Sequence, residues 1–374
     1  MASDPEVIFR RIVYRRHNHN RFNTAVRCCK RRKNPGRNQN MMNDIAVSVI
    51  IPLYNKGEYI SRALNSVFQQ TFQNFEIIVV DGHSGDDGPS IVKSIEDNRI
   101  IFFEQEGKGL ALARNQGVNR ARTDFIAFLD ADDEWSPEHL ASLIRLREKF
   151  PNAGIYATTY KRIEPGNVVK IPKFRAIPPP TWEGLIPNYF LAGTLGATPI
   201  IPTSVGIPKD VFIGVGGSTP GVQWGEDDDL WIRIVMKYPV AYSWKGEALW
   251  HCDADNRIGN SIPDLPLLTR EPVVERGLVA LSNHTVSPED APFLKEYIAK
   301  FELNRALWNL KTGNAKNART ILKECKTKRF ILRKIRLLIF SSIPVPVFML
   351  SWKTIRLLRH HLFHKDYSHD PWLK

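Results

Sequence analysis

The chain has 374 residues, 43% of them apolar, which is enough to build a substantial core and excludes wholesale disorder. Its net charge of +13 sits at the ends: residues 1–44 carry 11 Lys and Arg against 3 Asp and Glu, residues 305–374 carry 16 against 3, and the body between them is net −8. Basic ends suit phosphate, whereas the acidic body and the lack of an aromatic-interleaved basic face argue against a nucleic-acid binder.

Residues 1–44 carry no apolar stretch of the kind a secretory leader needs and are expected to be a disordered, non-catalytic arm. The first strand is expected over 47–53, a near-continuous β-branched run suited to burial on both faces. A helix follows over 58–70, a second strand over 76–81, a short helix near 91–95, a third strand over 100–103 and a helix over 110–121. A fourth strand covers 125–130, and Ser136-Pro137 reads as the N-cap and first position of a helix ending at Pro151. Strands alternating with helices predict right-handed crossovers and a parallel sheet, with ligands beyond the carboxyl ends of the strands. Residues 172–220, rich in Pro, Gly and Thr, read as a long excursion over the sheet; helix returns at 227–236 and again over 288–326.

Residues 337–352 are 16 residues without a charge, flanked by Arg333, Lys334 and Arg336 before and Lys353, Arg356 and Arg359 after. As a helix the run spans only ~24 Å against a ~30 Å bilayer core, and Pro344 and Pro346 interrupt it. Two readings stand: a segment lying in the membrane interface, or a helical hairpin packed on the body. The four cysteines, with Cys28 and Cys29 adjacent and Cys252 and Cys325 alone, give neither a disulfide framework nor metal-ligand spacing and suit reduced thiols of a cytosolic compartment.

Three acidic clusters carry chemistry. In Asp130-Ala131-Asp132-Asp133, residues i and i+2 of an extended turn point the same way, so two carboxylates can converge on one hard divalent cation that bridges to substrate phosphates. The alternative is a polar turn in which Asp133 or Ser136 caps the next helix. In Trp224-Gly225-Glu226-Asp227-Asp228-Asp229, four acids in a row suit the first turn of a helix, where the dipole stabilises anions. That run is either an acidic helix start or the seat of a general base, with Trp224 stacking on a sugar or buried in the core. Asp81, at the end of the second strand, can accept hydrogen bonds from a base or ribose. Lys108 and Arg114, near a helix start after Gly107 and Gly109, suit phosphate, although no Walker A loop or dinucleotide fingerprint is present. His251, beside an apolar run, reads as a structural residue rather than a ligand.

Taken together, these segments resemble the family 2 glycosyltransferases of the GT-A fold over roughly residues 46–255. The matching runs are 47–55, 66–72 with 75–82, 109–117, 128–133 and 225–231, in the family's order. The resemblance implies an α/β fold with a Rossmann-like, mostly parallel sheet flanked by helices. The implied organisation is a GT-A domain over 45–255, a helical extension over 256–330 and a basic, apolar, membrane-associating tail over 331–374. It also implies that Pro52, Tyr54 and Glu58 line the nucleotide pocket, that Asp81 contacts the base (commonly uracil), and that Asp130 faces the ribose. By the same resemblance Asp132 ligates Mn²⁺ or Mg²⁺, Asp227 is the base and Glu226 orients the acceptor. The expected reaction moves a sugar, with inversion, from a UDP-sugar to a glycan or lipid-linked acceptor, in the cytoplasm on the inner face of the cell membrane. The rivals are a polyprenyl-phosphate sugar synthase and, further off, a nucleotidyltransferase.

Overall fold

A computed structural model describes residues 46–222, 225–254 and 270–343. The N-terminal arm, Trp224 and the segment after residue 343 lie outside the described residues, and with them the expectations placed there. In chain order the first half is β1 (Val47–Leu53), α1 (Gly57–Phe68), β2 (Phe75–Asp81), α2 (Gly88–Lys93), β3 (Ile100–Glu104), α3 (Leu110–Arg120), β4 (Phe125–Phe128), β5 (Glu134–Trp135) and α4 (His139–Lys149). Then come β6 (Ile155–Glu164), β7 (Val168–Lys170), β8 (Glu183–Leu185), α5 (Tyr189–Leu195), β9 (Val205–Pro208), α6 (Lys209–Gly214), α7 (Glu226–Val235) and β10 (Val240–His251). The helices α8 (Pro272–Ser282), α9 (Ala291–Lys311), α10 (Ala315–Glu324) and α11 (Ile331–Phe340) close the described chain.

The sheet runs β3-β2-β1-β4-β9-β6-β10-β5, with β7 on β6 and β8 on β10. Strands β1 to β4 pair in parallel, as their continuous apolar runs require, and every residue of β1 and β2 is buried. Alternate residues feed opposite cores: Ile50, Ile78 and Phe128 one face, Val49, Ile51 and Val79 the other. Helix α3 comes close to β1 because Gly117 carries no side chain; a Cβ there would stand 2.5 Å from the Ile50 side chain.

Beyond β4 the mostly parallel sheet that was expected becomes mixed. Strand β9 lies antiparallel between β4 and β6, while β6 and β10 are parallel to each other. The chain reaches β9 through a 3₁₀ turn, Pro202–Ser204, whose Thr203 already touches the end of β4, so β9 must run back down. The loose region 172–220 thus holds β8, α5, β9 and α6. The helices after residue 270 share the main core: Val273, Val274, Leu294, Tyr297 and Ile298 pack in one cluster with Ile126 and Trp231. A smaller core joins Leu303, Leu307, Ile321, Leu322 and Leu337 of α9 to α11. Among the described residues no helix is long and apolar enough to cross a membrane.

Candidate active site

The carboxyl ends of β1, β2 and β4 meet along one edge. Leu53 and Asp81 are register partners, so the loops that follow them face each other. They close on one another: Asn55 N donates to Ser84 Oγ at 2.9 Å, Gly85 N to Asn55 Oδ1 at 2.7 Å and Gly57 N to Asp86 Oδ2 at 2.7 Å. Asn55 and His83 take left-handed backbone (φ 51° and 62°), which turns both loops sharply. Asp81 is buried and accepts from Ser84 N at 3.2 Å, while Tyr54 is 61% exposed at the mouth. Pro52 stays inside β1 opposite Val80, and Glu58 is exposed in the first turn of α1.

Arg114, on α3, is the hub. Its side chain is 2% exposed; Nη2 donates to Asp130 Oδ1 at 3.0 Å, Nη1 donates to Asp227 Oδ1, and Glu226 Oε1 lies 3.9 Å away. The sequence expectation placed this guanidinium on phosphate; it is surrounded by carboxylates instead. Burial opposes its charge, yet Asp227, Asp130 and Glu226 together outweigh burial and hold it above the ordinary arginine range. One guanidinium therefore joins the acidic turn after β4 to the acidic first turn of α7, nearly 100 residues later. Burial, with the neighbouring Asp227 charge, pushes Glu226 up to about 8 against the pull of Arg114. Asp130 is likewise raised by burial, with Arg114 opposing.

Asp132 turns away from this hub and accepts from Lys56 Nζ at 2.8 Å. Arg62 of α1 donates to the Asp132 carbonyl at 2.5 Å and pairs with Asp253 at 3.1 Å. Beside it His251 is buried at the end of β10; among the described residues the carboxylates nearest its ring are Glu134 at 3.5 Å from Nε2 and Asp253 at 4.0 Å from Nδ1. The sequence offered one cue to this histidine, its place at the carboxyl end of the last core strand. Among the described residues no three His, Cys, Asp or Glu side chains stand together as a closed metal cage. The donors fit an open site, in which a hard cation takes one or two carboxylates and completes its shell with phosphate and water.

Asp133 does not cap the next helix, nor does Ser136. Asp133 is buried; Thr203 Oγ1 donates to its Oδ2 at 2.5 Å and His251 N to its Oδ1 at 2.9 Å. Ser136 N donates to Glu247 O, because β5 pairs with β10 before α4 begins at His139. Pairing with β10 took precedence over the local capping signal.

The helices after residue 270 reach α7 directly, which spacing could not reveal. Asp229, fully buried, accepts from Arg233 at 2.8 Å, from Thr219 Oγ1 at 2.6 Å and from Arg276 of α8. Lys300 of α9 donates to Gly193 O at 2.6 Å, below Tyr297, which packs on Tyr189 and Phe190. Burial and the Asp227 charge push Asp228 up to about 7, with Lys300 and a hydrogen bond from Tyr297 opposing. A carboxyl raised on folding binds its proton more tightly in the native state than the usual unfolded value of about 3.9 allows, so it favours folding below that value and the advantage is lost as pH rises through about 7. Asp228→Asn is expected to flatten the fall of Tm between about pH 5 and 8; thermal unfolding that stays as pH-sensitive as in the unsubstituted chain would remove Asp228 as its source.

A doubly wound α/β half, with acidic turns converging at the carboxyl ends of its strands, defines a nucleotide-sugar-binding class of fold, GT-A. Residues 48–206 match the family model described as Glycosyl transferase family 2. An uncharacterized glycosyltransferase of Rickettsia conorii, RC0461, is 31% identical over 208 residues, which are 54% of this chain and 32% of that protein. The Escherichia coli UDP-Glc:alpha-D-GlcNAc-diphosphoundecaprenol beta-1,3-glucosyltransferase WfgD is 36% identical over 148 residues, 39% of this chain and 57% of that one. The chain thus spans about a third of the length of the first of these relatives and little more than half of the second. Among solved structures, the mannosyltransferase PcManGT from Pyrobaculum calidifontis, in complex with GDP-Man and Mn²⁺, superposes with a TM-score of 0.52 at 16% identity, covering 84% of this chain and 81% of that one. This likeness shows the GT-A fold.

Proposed function

We propose that the chain is an inverting glycosyltransferase that moves a sugar from a nucleotide-diphosphate donor, UDP-linked foremost, to a hydroxyl of a glycan or lipid-linked acceptor. The observation that carries this reading is the Arg114 hub, which holds Asp130 and the pair Glu226–Asp227 around one centre at the mouth of a family 2 domain. Tyr54 and Asp81 flank the nucleotide, and Asp130 faces the ribose. Asp227 accepts the acceptor's hydroxyl proton as its oxygen forms a bond to the anomeric carbon; the bond from that carbon to the diphosphate breaks on the opposite side, and the diphosphate leaves with the electron pair. Glu226, held protonated near neutrality, donates a hydrogen bond that orients the acceptor.

Mn²⁺ or Mg²⁺ would be held at Asp132, whose carboxylate already faces a cation in Lys56, with the buried His251 ring close to the same turn. When bound, such an ion neutralises charge developing on the leaving diphosphate. PcManGT, crystallised with GDP-Man and Mn²⁺, supports a divalent metal. WfgD, named for UDP-Glc and a diphosphoundecaprenol acceptor, supports a UDP donor and a lipid-linked acceptor in polysaccharide assembly, and with it a place on the inner membrane face. A polyprenyl-phosphate acceptor is already anionic and needs little base catalysis, so the Glu226–Asp227 pair disfavours that rival. Asp132→Ala is expected to weaken metal-dependent binding of a nucleoside diphosphate by at least about tenfold, consistent with loss of a direct ligand. Calorimetry with Mn²⁺ present and absent reads this, and an affinity equal to the unsubstituted chain in both conditions would sink the assignment.

A further inference from the structure

Helix α11 wears its amphipathicity outward. Ile331, Leu332, Ile335 and Ile339 are all exposed, Leu332 at 74% and Ile339 at 61%. The i, i+4, i+8 spacing of the three isoleucines puts them on one stripe, with Leu332 beside it. Two of the helix's cations face the body instead: Arg333 Nη2 donates to Asn304 Oδ1 at 2.6 Å, and Lys334 Nζ to Cys325 O at 2.7 Å. Leu337 is buried in the small core of α9 to α11. The helix is pinned at both ends: Lys328 N donates to Glu296 at 2.8 Å before it, and Arg319 Nη1 to Ser341 O at 2.6 Å after it. The apolar stripe is therefore held outward by the packing beneath it.

The charges around the stripe are almost all of one sign. Between residues 323 and 336 the chain has seven Lys and Arg and one acid, Glu324. Lys326, Lys328, Arg329 and Arg336 of these are exposed. A cationic fringe round an apolar stripe complements a surface that is anionic outside and hydrocarbon within. It repels a second copy of the same face. Nucleic acid offers phosphate but nothing for four aliphatic side chains.

We propose that α11 lies in the plane of an anionic lipid bilayer, its Ile331, Leu332, Ile335 and Ile339 side chains entering the headgroup–acyl boundary and the exposed lysines and arginines engaging lipid phosphates. This rests on the membrane-face location proposed above and names the element that makes the contact. The test is co-sedimentation of the full chain with vesicles of phosphatidylcholine alone or mixed with phosphatidylglycerol. The full chain is expected to sediment with the mixed vesicles, and Ile335→Glu with Ile339→Glu to lower the bound fraction by about tenfold or more. Val169→Glu with Ile171→Glu, which charges another exposed apolar pair, is expected to leave it unchanged. Nucleoside diphosphate affinity, measured on each variant, reports the sugar-transfer reading separately. Equal vesicle binding by the α11 variant and the unsubstituted chain overturns the proposal. So does light scattering that finds a dimer which the α11 variant dissolves, since the stripe would then belong to a second copy.

Discussion

Asp227→Asn is expected to leave donor binding intact and to lower the rate of transfer by about 10²–10⁴, the range a positioned general base contributes. The carboxylate sits in the first turn of α7, where the helix dipole favours an anion, and Arg114 fixes its Oδ1 while the side chain stays 30% exposed toward the mouth. Asparagine keeps the shape and can still accept from Arg114, but it cannot take up the acceptor's proton. Its neighbour is a poor substitute, because burial keeps Glu226 protonated to about 8. Release of nucleoside diphosphate in the presence of acceptor, set beside calorimetric donor affinity, separates the two effects. Full turnover by the variant would take Asp227 out of the mechanism.

The second large effect is on stability. Arg114→Met removes the one cation that, among the described residues, stands against Asp130, Glu226 and Asp227 together, leaving three acidic side chains facing one another around an apolar one. Breaking a buried ion pair typically costs about 3–5 kcal/mol; the lower end, about 3 kcal/mol, is expected here because Asp130 and Asp227 retain solvent. Urea unfolding at neutral pH measures it. Asp130 and Glu226, already raised by burial, lose in the variant the cation that opposes that rise, so protonating them restores stability, and the deficit is expected to shrink on going from about pH 8 to pH 5. A loss under about 1 kcal/mol at neutral pH would mean that the three acids do not depend on Arg114.

The nucleotide half of the fold was legible because its strands are buried on both faces. The expectation for the first strand, 47–53, coincides with β1, and those for 76–81 and 100–103 fall within β2 and β3. The other half was not. Strands β8 and β9 are three and four residues long, too short for periodicity to register, and β9 reverses direction for a reason that lies in a contact of Thr203 rather than in its own residues. The acidic residues could be read as a set because two strand ends, at Asp81 and Asp130, and one helix start, at Glu226 and Asp227, supply them. Their division of contacts could not, since it depends on partners far along the chain. Arg114 looked like a phosphate binder from its helix start, and only the fold brings Asp227 to it. Asp229 looked like one more acid in a run, yet Arg276, 47 residues on, makes it a buried strut. His251 looked structural from its apolar neighbours, and only the fold brings its buried ring to Glu134 beside the Asp130–Asp133 turn.

The strut at Asp133 bears on the order in which the protein assembles. Both of its carboxylate oxygens are held by late arrivals, Thr203 and the backbone of His251, the latter 118 residues downstream. As the chain leaves the ribosome, β1 to β4 can pair as soon as they emerge, and Lys56, Arg62 and Arg114 can already reach Asp132 and Asp130, but Asp133 gains its two partners only when Thr203 and then β10 arrive. Contacts of such long separation form slowly. A nascent or truncated chain that stops short of His251 would therefore own every donor-side residue named above and still lack a shaped site. Competence to hold the donor is expected to appear only with the last strand.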